Sequence, residues 1–474
     1  MPRSKRARPT PTTPTSDGGY VLVFAHPDCL EHNTCAGDSY HQEAADRLDA
    51  ARAALAQVLP AGSVNFIEAE ACRLASDEEV RRAHSDEYLA ALETIDHQMA
   101  AQVHGSDRPP TPRPLSPALV PHLFPGCIVQ GMTMVSRGSV RAARRAAGAV
   151  VSAIDRVIAS PSASPQQHSG HQQHAFCLVR PPGHHACVSG YDPVAGGSGF
   201  CLLNSVAIGA AHAMSVHGCR VAIVDIDVHH GNGTEDIVVK RLCRLGLGGG
   251  AGGGASGAGG VEAAGGAEGR VRASPPTGSG GGDPPVLFCS IHLYEHFDDA
   301  PDDDFFPGRG GEASAATLVA ECDSEARAAA AAAVLNLPID PLWAAAEGNG
   351  RESRGREAFR AAVAERLVPR LAAFAPSLLL FSAGFDGALG DEGNTQDGIG
   401  GLDLTDDDFH WVTARVCESL SDTCAVVSVL EGGYGAWDES AGAYDRASLA
   451  SGCAAHVRAL AEHSRARRCG GTKL

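Results

Sequence analysis

The sequence predicts an α/β fold: an open, mostly parallel sheet with helices on both faces, built as a single domain with low-complexity insertions. Three observations predict it. Short, almost uninterrupted apolar runs read as strands buried on both faces, as in a parallel sheet. These runs alternate with segments of helical spacing. Most of the unusual polar residues follow an apolar run directly, where open α/β sheets bind their ligands.

In chain order, YVLVFA (20–25) is the first strand and EAADRLDAARAALAQVL (43–59) the first helix. RGSVRAARRAAGAVVSAIDRVIA (137–159) is a long amphipathic helix. HAFCLV (174–179) is a strand, followed by the helix NSVAIGAAHAMSVHG (204–218), which ends on a glycine suited to a left-handed cap. The strands RVAIVD (220–225), VLFCSI (286–291), LLLFS (378–382) and AVVSVL (425–430) come next, with helices at 357–374 and 406–420 between them. The alanine run 328–333 reads equally as a helical turn or as low complexity.

The expected domain is 19–460. Residues 1–18, rich in Pro, Thr and Arg, read as a disordered tail; a basic nuclear address at Lys5, Arg6 and Arg8, or an organelle transit peptide, are the alternatives. Residues 244–285, rich in Gly, Ala and Pro, read as a flexible insertion in a surface loop, and 342–356 as a second, shorter one. Residues 461–474 read as a C-terminal tail.

Of 474 residues 44% are apolar, enough for a sizeable core. The net charge of −18 argues against broad nucleic-acid binding, which needs a positive field. No apolar run reaches the length of a membrane span, and no secretory signal opens the chain. Fifteen cysteines without regular CxxC spacing suggest reduced thiols. The expected compartment is therefore intracellular, nucleus or cytoplasm, with organelle import left open.

If the sheet is parallel, the segments after its strands converge on one rim. They carry His184 and His185 (RPPGHHA), then Asp225, Asp227, His229, His230 and Asn232 (DIDVHHGNG), then Asp386 (AGFDG) and Tyr434 (EGGYG). Asp227 and His229 are two apart and point the same way in an extended segment. With Asp386 they make two carboxylates and an imidazole, a donor set for a catalytic zinc that leaves a position open. Such an ion polarises a carbonyl and acidifies water. His184 and His185 suit a general base and acid, each needing a partner on its far nitrogen, for which Asp225 and Asn232 are candidates. Tyr434, between glycines, can donate to a developing oxyanion.

The motifs RPPGHHA, GFCLLNSVAIGAAHA (199–213), VDIDVHHGNGTEDI, FCSIHLY, SAGFDG and LEGGYG resemble, in this order, the zinc-dependent histone deacetylases. That superfamily includes acetylpolyamine deacetylases and acetoin-utilisation proteins on an arginase-like α/β fold. The resemblance covers roughly 19–460 apart from the insertions, and Asn232 with the RPPGHHA and LEGGYG wording looks like the class II branch. It implies zinc on Asp227, His229 and Asp386, His184 and His185 as the catalytic pair, and Tyr434 as the polarising hydroxyl. It also implies a structural monovalent cation, usually K+, held by Asp225, Ser290 and the backbone of Asp227, His229 and Ile291. Phe200 and Phe306, with Gly199 and Gly433, match the acyl-lysine channel. The implied substrate is an acetylated protein such as a histone tail, or an acetylated polyamine, and corepressor partners are possible.

There are departures. The spacer 187–198 is longer than usual, the stretch before NLPI (336–339) is alanine-rich, and Met132 stands where the family has an acid that grips substrate backbone. The acidic run Asp298, Asp299, Asp302, Asp303 and Asp304 either steers basic substrates or is a solvated loop. Cys201 is either redox-sensitive or a buried, inert thiol. The rival functions are a silent scaffold, a binuclear manganese ureohydrolase and a small-molecule amidohydrolase.

Overall fold

The computed structural model describes residues 21–35, 40–67, 69–101, 111–116, 119, 133–159, 174–245, 284–295, 304–311, 314–346, 354–396 and 398–468. The tail 1–18, most of the 244–285 insertion, Met132 and all of the acidic run but Asp304 lie outside them.

The apolar runs become the strands of one eight-stranded sheet. They are β1 (Val21–Phe24), β2 (Val64–Ile67), β3 (His174–Cys177), β4 (Val221–Asp225), β5 (Val286–Leu293), β6 (Val334–Ile339), β7 (Leu378–Ala383) and β8 (Ala425–Leu430). Their spatial order is β2-β1-β3-β8-β7-β4-β5-β6, and every neighbouring pair is parallel. Every residue of β3, β4, β5, β7 and β8 is buried, which is why those strands read as unbroken apolar runs. The edge strands are not predicted from the sequence: β2 has only half-buried and exposed positions, and β6 mixes buried with half-buried ones.

Parallel neighbours need crossovers, and helices supply them. Ser139–Ile158 packs on Ser205–His217 and on β1, β3 and β8, whereas Ala447–Arg468 packs on Asp46–Gln57 and Asp406–Glu418 and also reaches β1 and β3. The two groups touch the same strands from opposite sides, so helices cover both faces. Asn204 caps the Ser205–His217 helix by accepting from the Ala207 N–H, and Gly218 ends it at φ 65°. The predicted 357–374 helix is interrupted by a wide turn at Val363–Leu367, just ahead of Pro369, which has no N–H to continue the regular ladder.

Two boundaries differ from the sequence reading, and one open alternative is decided. The last helix runs to Arg468, through the tail expected from 461: Ser464 is buried, His463 stacks on His174, and Arg467 bonds the Cys424 carbonyl. The expected insertion 342–356 opens with a helix, Leu342–Ala346, whose Trp343 is buried and donates to Glu295 at 2.6 Å. The alanine run lies in a helix, Ser324–Ala332. Among the described residues every cysteine is free, and no helix is long and apolar enough to cross a membrane.

Candidate active site

The adjacent strands β3, β8, β7 and β4 deliver their C-terminal loops side by side. These loops carry His184 and His185, Tyr434, Asp386, and Asp227 with His229. Ligand atoms of Asp227, His229 and Asp386 all lie within 4.8 Å of one another. His229 Nδ1 is 3.2 Å from Asp227 Oδ1 and 3.1 Å from Asp386 Oδ2. Backbone N–H groups fix both carboxylates: Gly432 donates to Asp227 at 2.9 Å and Val228 to Asp386 at 3.0 Å. A side chain at 432 would collide with both acids, so the glycine lets them converge.

Buried acids this close disfavour a second charge. Burial and then Asp227 raise Asp386, while His184 and His229 overcome burial to hold Asp227 below the carboxylate range. Burial opposes a charge on His229, but its bonds to Asp227 and Asp386 win and push it up to about 9. The trio therefore attracts positive charge at one point. Two hard carboxylates and an imidazole, nearly dry, fit a divalent ion of the zinc type.

The histidine pair sits beside this group, ring centroids 3.9 Å apart. His184 Nδ1 lies 3.0 Å from Asp225 and His185 Nδ1 lies 2.7 Å from the Asn232 side-chain oxygen. Asp225 and Asn232, the two candidate partners, thus each contact the far nitrogen of one ring. Burial works against charge on both rings. The Asp227 and Asp225 carboxylates outweigh it and lift His184 well above the imidazole range, whereas His184 and His229 drive His185 further below.

A cavity of about 340 Å³ opens onto this rim, lined by His185, His229, Tyr434, Gly199, Phe200 and Phe306 among others. Phe306 meets His185 edge-on at 4.9 Å, and Phe200 meets Tyr434 edge-on at 5.7 Å. Burial, with Asp386 and Asp227 nearby, pushes the Tyr434 phenol well above its usual value, so it keeps its proton and can donate. Gly433 is not on the wall. It lies behind Tyr434, where its carbonyl accepts from Arg47 Nε at 2.6 Å. In the long spacer, Ala195 to Ser198 line the cavity, and Thr133, the neighbour of Met132, accepts from the Phe200 N–H at 3.0 Å. The Cys201 thiol is buried and, by burial first, well above its usual range, which fits the inert reading. β4 and β5 pair with Asp225 beside Ser290, whose hydroxyl is 2.8 Å from His292 Nδ1.

Several residues of the site are not singled out by the sequence. Phe305 stacks on His229 with ring planes 4° apart. Glu431 accepts from the Gly183 N–H at 2.6 Å and fixes the histidine loop. Asp391 accepts from the Tyr434 and Gly435 N–H groups and fixes the tyrosine loop. Asp192 accepts from Asn232 Nδ2 at 2.8 Å. The signal for Glu431 was present in LEGGYG; the others look like ordinary loop residues.

A family description, the histone deacetylase domain, matches residues 41–448. Type-2 histone deacetylase 2 of Dictyostelium discoideum is 32% identical over 306 residues, 64% of this chain but 13% of that protein. Polyamine deacetylase HDAC10 of Homo sapiens is 30% identical over 296 residues, 62% of this chain and 30% of that protein. The chain thus spans well under half the length of both. The crystal structure of the HDA15 HD domain superposes with a TM-score of 0.61 at 22% identity, covering 94% of this chain and 88% of that one. At that identity the likeness shows a shared fold.

Proposed function

The chain belongs to the histone deacetylase family, and from that premise we propose that it is a zinc-dependent deacetylase acting on Nε-acetyl-lysine in histones or other proteins. One observation carries the reading: His229 of the Asp227–His229–Asp386 group and His185 of the His184–His185 pair line one cavity together with Tyr434.

Asp227, His229 and Asp386 would hold the zinc, which when bound supplies Lewis acidity to the carbonyl and lowers the pKa of a water. The aromatic walls of Phe200 and Phe306 suit the apolar stem of an acyl-lysine and keep bulk water out. Tyr434 donates its O–H to the amide oxygen as negative charge develops there. His185, which lines the cavity, takes the proton of the attacking water. As the C–N bond breaks it passes that proton to the leaving nitrogen, so acetate and a free amine result. His184, paired with Asp225, sets the field behind it. A potassium ion held by Asp225, Ser290 and the backbone of Asp227, His229 and Ile291 belongs to the same proposal. The Asp225–Ser290 strand register supports it.

A second reading, an acetylpolyamine substrate, is favoured by Glu392 and Asp304, two carboxylates among the residues lining the cavity. The deciding experiment is kcat/KM on acetyl-lysine peptides and acetylated polyamines, with zinc content measured on the same protein. Zinc-loaded protein that turns over neither class refutes the proposal.

A further inference from the structure

We propose that Asp155, His212 and His217 form a second metal site, for a divalent transition ion of the zinc class, at the C-terminal end of the Ser205–His217 helix. That helix is roughly 20 Å long and begins at Asn204, which bonds the Ala186 carbonyl beside the histidine loop. The new site is therefore at the end away from the cavity.

His212 Nε2 and His217 Nε2 each lie 2.7 Å from the same oxygen of Asp155, on the neighbouring Ser139–Ile158 helix. Ligand atoms of the three residues all lie within 4.8 Å of one another. Two imidazoles and a carboxylate are ligands that zinc and its neighbours take, with the remaining positions left to water. Solvent reaches the group: the Asp155 side chain is 43% exposed and that of His217 22%, while His212 is 6% exposed.

The far side of His212 carries the argument. Its Nδ1 is buried, has no hydrogen-bond partner, and lies 3.6 Å from Glu79 Oε1. Glu79 is itself fixed, accepting from the Ser76 N–H and from Arg73. The loop that leads to Glu79 approaches closely because Gly148, on the Asp155 helix, presents no side chain to the backbone of Arg73 to Ala75. His212 thus stands between two carboxylates. A neutral imidazole has one N–H and cannot donate to both. With the proton on Nδ1, facing Glu79, the Nε2 lone pair points at an Asp155 oxygen. A cation between them resolves the conflict. A carboxylate behind the far nitrogen is also how metal-bound histidines are oriented. The rival resolution is a doubly protonated His212 with no metal.

The test loads the full chain with ZnCl2, removes excess by gel filtration and counts zinc per chain by mass spectrometry. The expected result is two zinc ions in the wild type, and one in His217→Ala and in Asp155→Asn. Both changes are at partly exposed positions, and circular dichroism checks the fold. Asp386→Asn, at the proposed catalytic site, should also hold one, so the two sites fail independently. In the thermal melt, added zinc should raise the Tm of Asp386→Asn but not that of Asp386→Asn combined with His217→Ala. Asp386→Asn holding no zinc, or His217→Ala and Asp155→Asn holding as many ions as the wild type, overturns the proposal in favour of the protonated His212.

Discussion

Asp192 accepts a hydrogen bond from Asn232 Nδ2 at 2.8 Å, and this contact decides which way the Asn232 amide faces. An ionised carboxylate only accepts, so the NH2 end must point at Asp192 and the oxygen at His185 Nδ1, 2.7 Å away. The oxygen then holds the proton on Nδ1 and leaves Nε2 free to act as a base. Asp192→Ala removes the anchor; Asp192 does not itself line the cavity, although its other oxygen accepts from the Val194 N–H at 2.9 Å where the lining spacer begins. We expect kcat to fall about 10- to 100-fold, the usual cost of losing such an outer partner, with KM little changed. A kcat within twofold of wild type would sink this role for Asp192.

Tyr434→Phe removes one hydroxyl and leaves the ring that packs on Phe200. Because its phenol stays protonated, its loss is the loss of a donor at every working pH. The expected drop in kcat is about 100- to 1000-fold, with the melting temperature near wild type. Turnover close to wild type would mean that the oxyanion is stabilised elsewhere.

The parts of the site legible in the sequence are those that follow buried strands, where a polar residue after an apolar run has little reason to exist except function. Asp227, His229, Asp386, His184, His185 and Tyr434 are all of this kind. Arg47 is not. It sits in an amphipathic helix among exposed charges, where an arginine reads as a solvated face. Yet it is fully buried, and its Nη2 donates to the Glu431 carbonyl, 384 positions away, at 2.6 Å. Asp391 reads as a turn residue for a similar reason: its partners are the backbone N–H groups of residues 434 and 435. The sequence reveals residue types and local spacing, and these two act through backbone atoms that only the folded chain brings near. The helix through Arg468 was hidden likewise, since its polar end is buried against strands far back in the chain.

Arg47 also links the tyrosine loop to a buried charge cluster. Glu43 accepts from Arg180 Nε at 2.7 Å and from Arg47 Nη1 at 3.1 Å, with His32 beside it at 3.4 Å. Burial opposes its charge, but Arg180 and His32 outweigh that and hold Glu43 below the usual carboxylate range. Glu43→Gln strands two guanidinium groups and should cost about 3–5 kcal/mol at pH 7. The sign of the pH dependence follows. Below the ordinary carboxylate value of 4.5 the unfolded chain takes up a proton that the folded chain refuses, so acid erodes the wild-type advantage. Denaturation from pH 7 to pH 3 should show the gap between the two proteins narrowing below about pH 4.5. A constant gap would place the effect of the substitution outside this cluster's charge.

On the acetylpolyamine reading, selection for substrate charge would act at the cavity itself. Glu392 and Asp304 line it together with the aromatic walls, and Glu392 is exposed. An exposed carboxylate at a confined opening attracts a cationic substrate through a field that salt screens over about 10 Å at 0.1 M. A polyamine carries its positive charges close to the acetyl group, whereas an acetyl-lysine peptide carries them on separate side chains. Glu392→Gln should therefore lower kcat/KM for an acetylated polyamine several-fold and leave an uncharged acetyl-lysine peptide unaffected. The difference should vanish as salt is raised from 0.05 to 0.5 M. Equal losses on both substrates would mean that Glu392 shapes the opening rather than selecting charge, and the peptide reading would then stand alone.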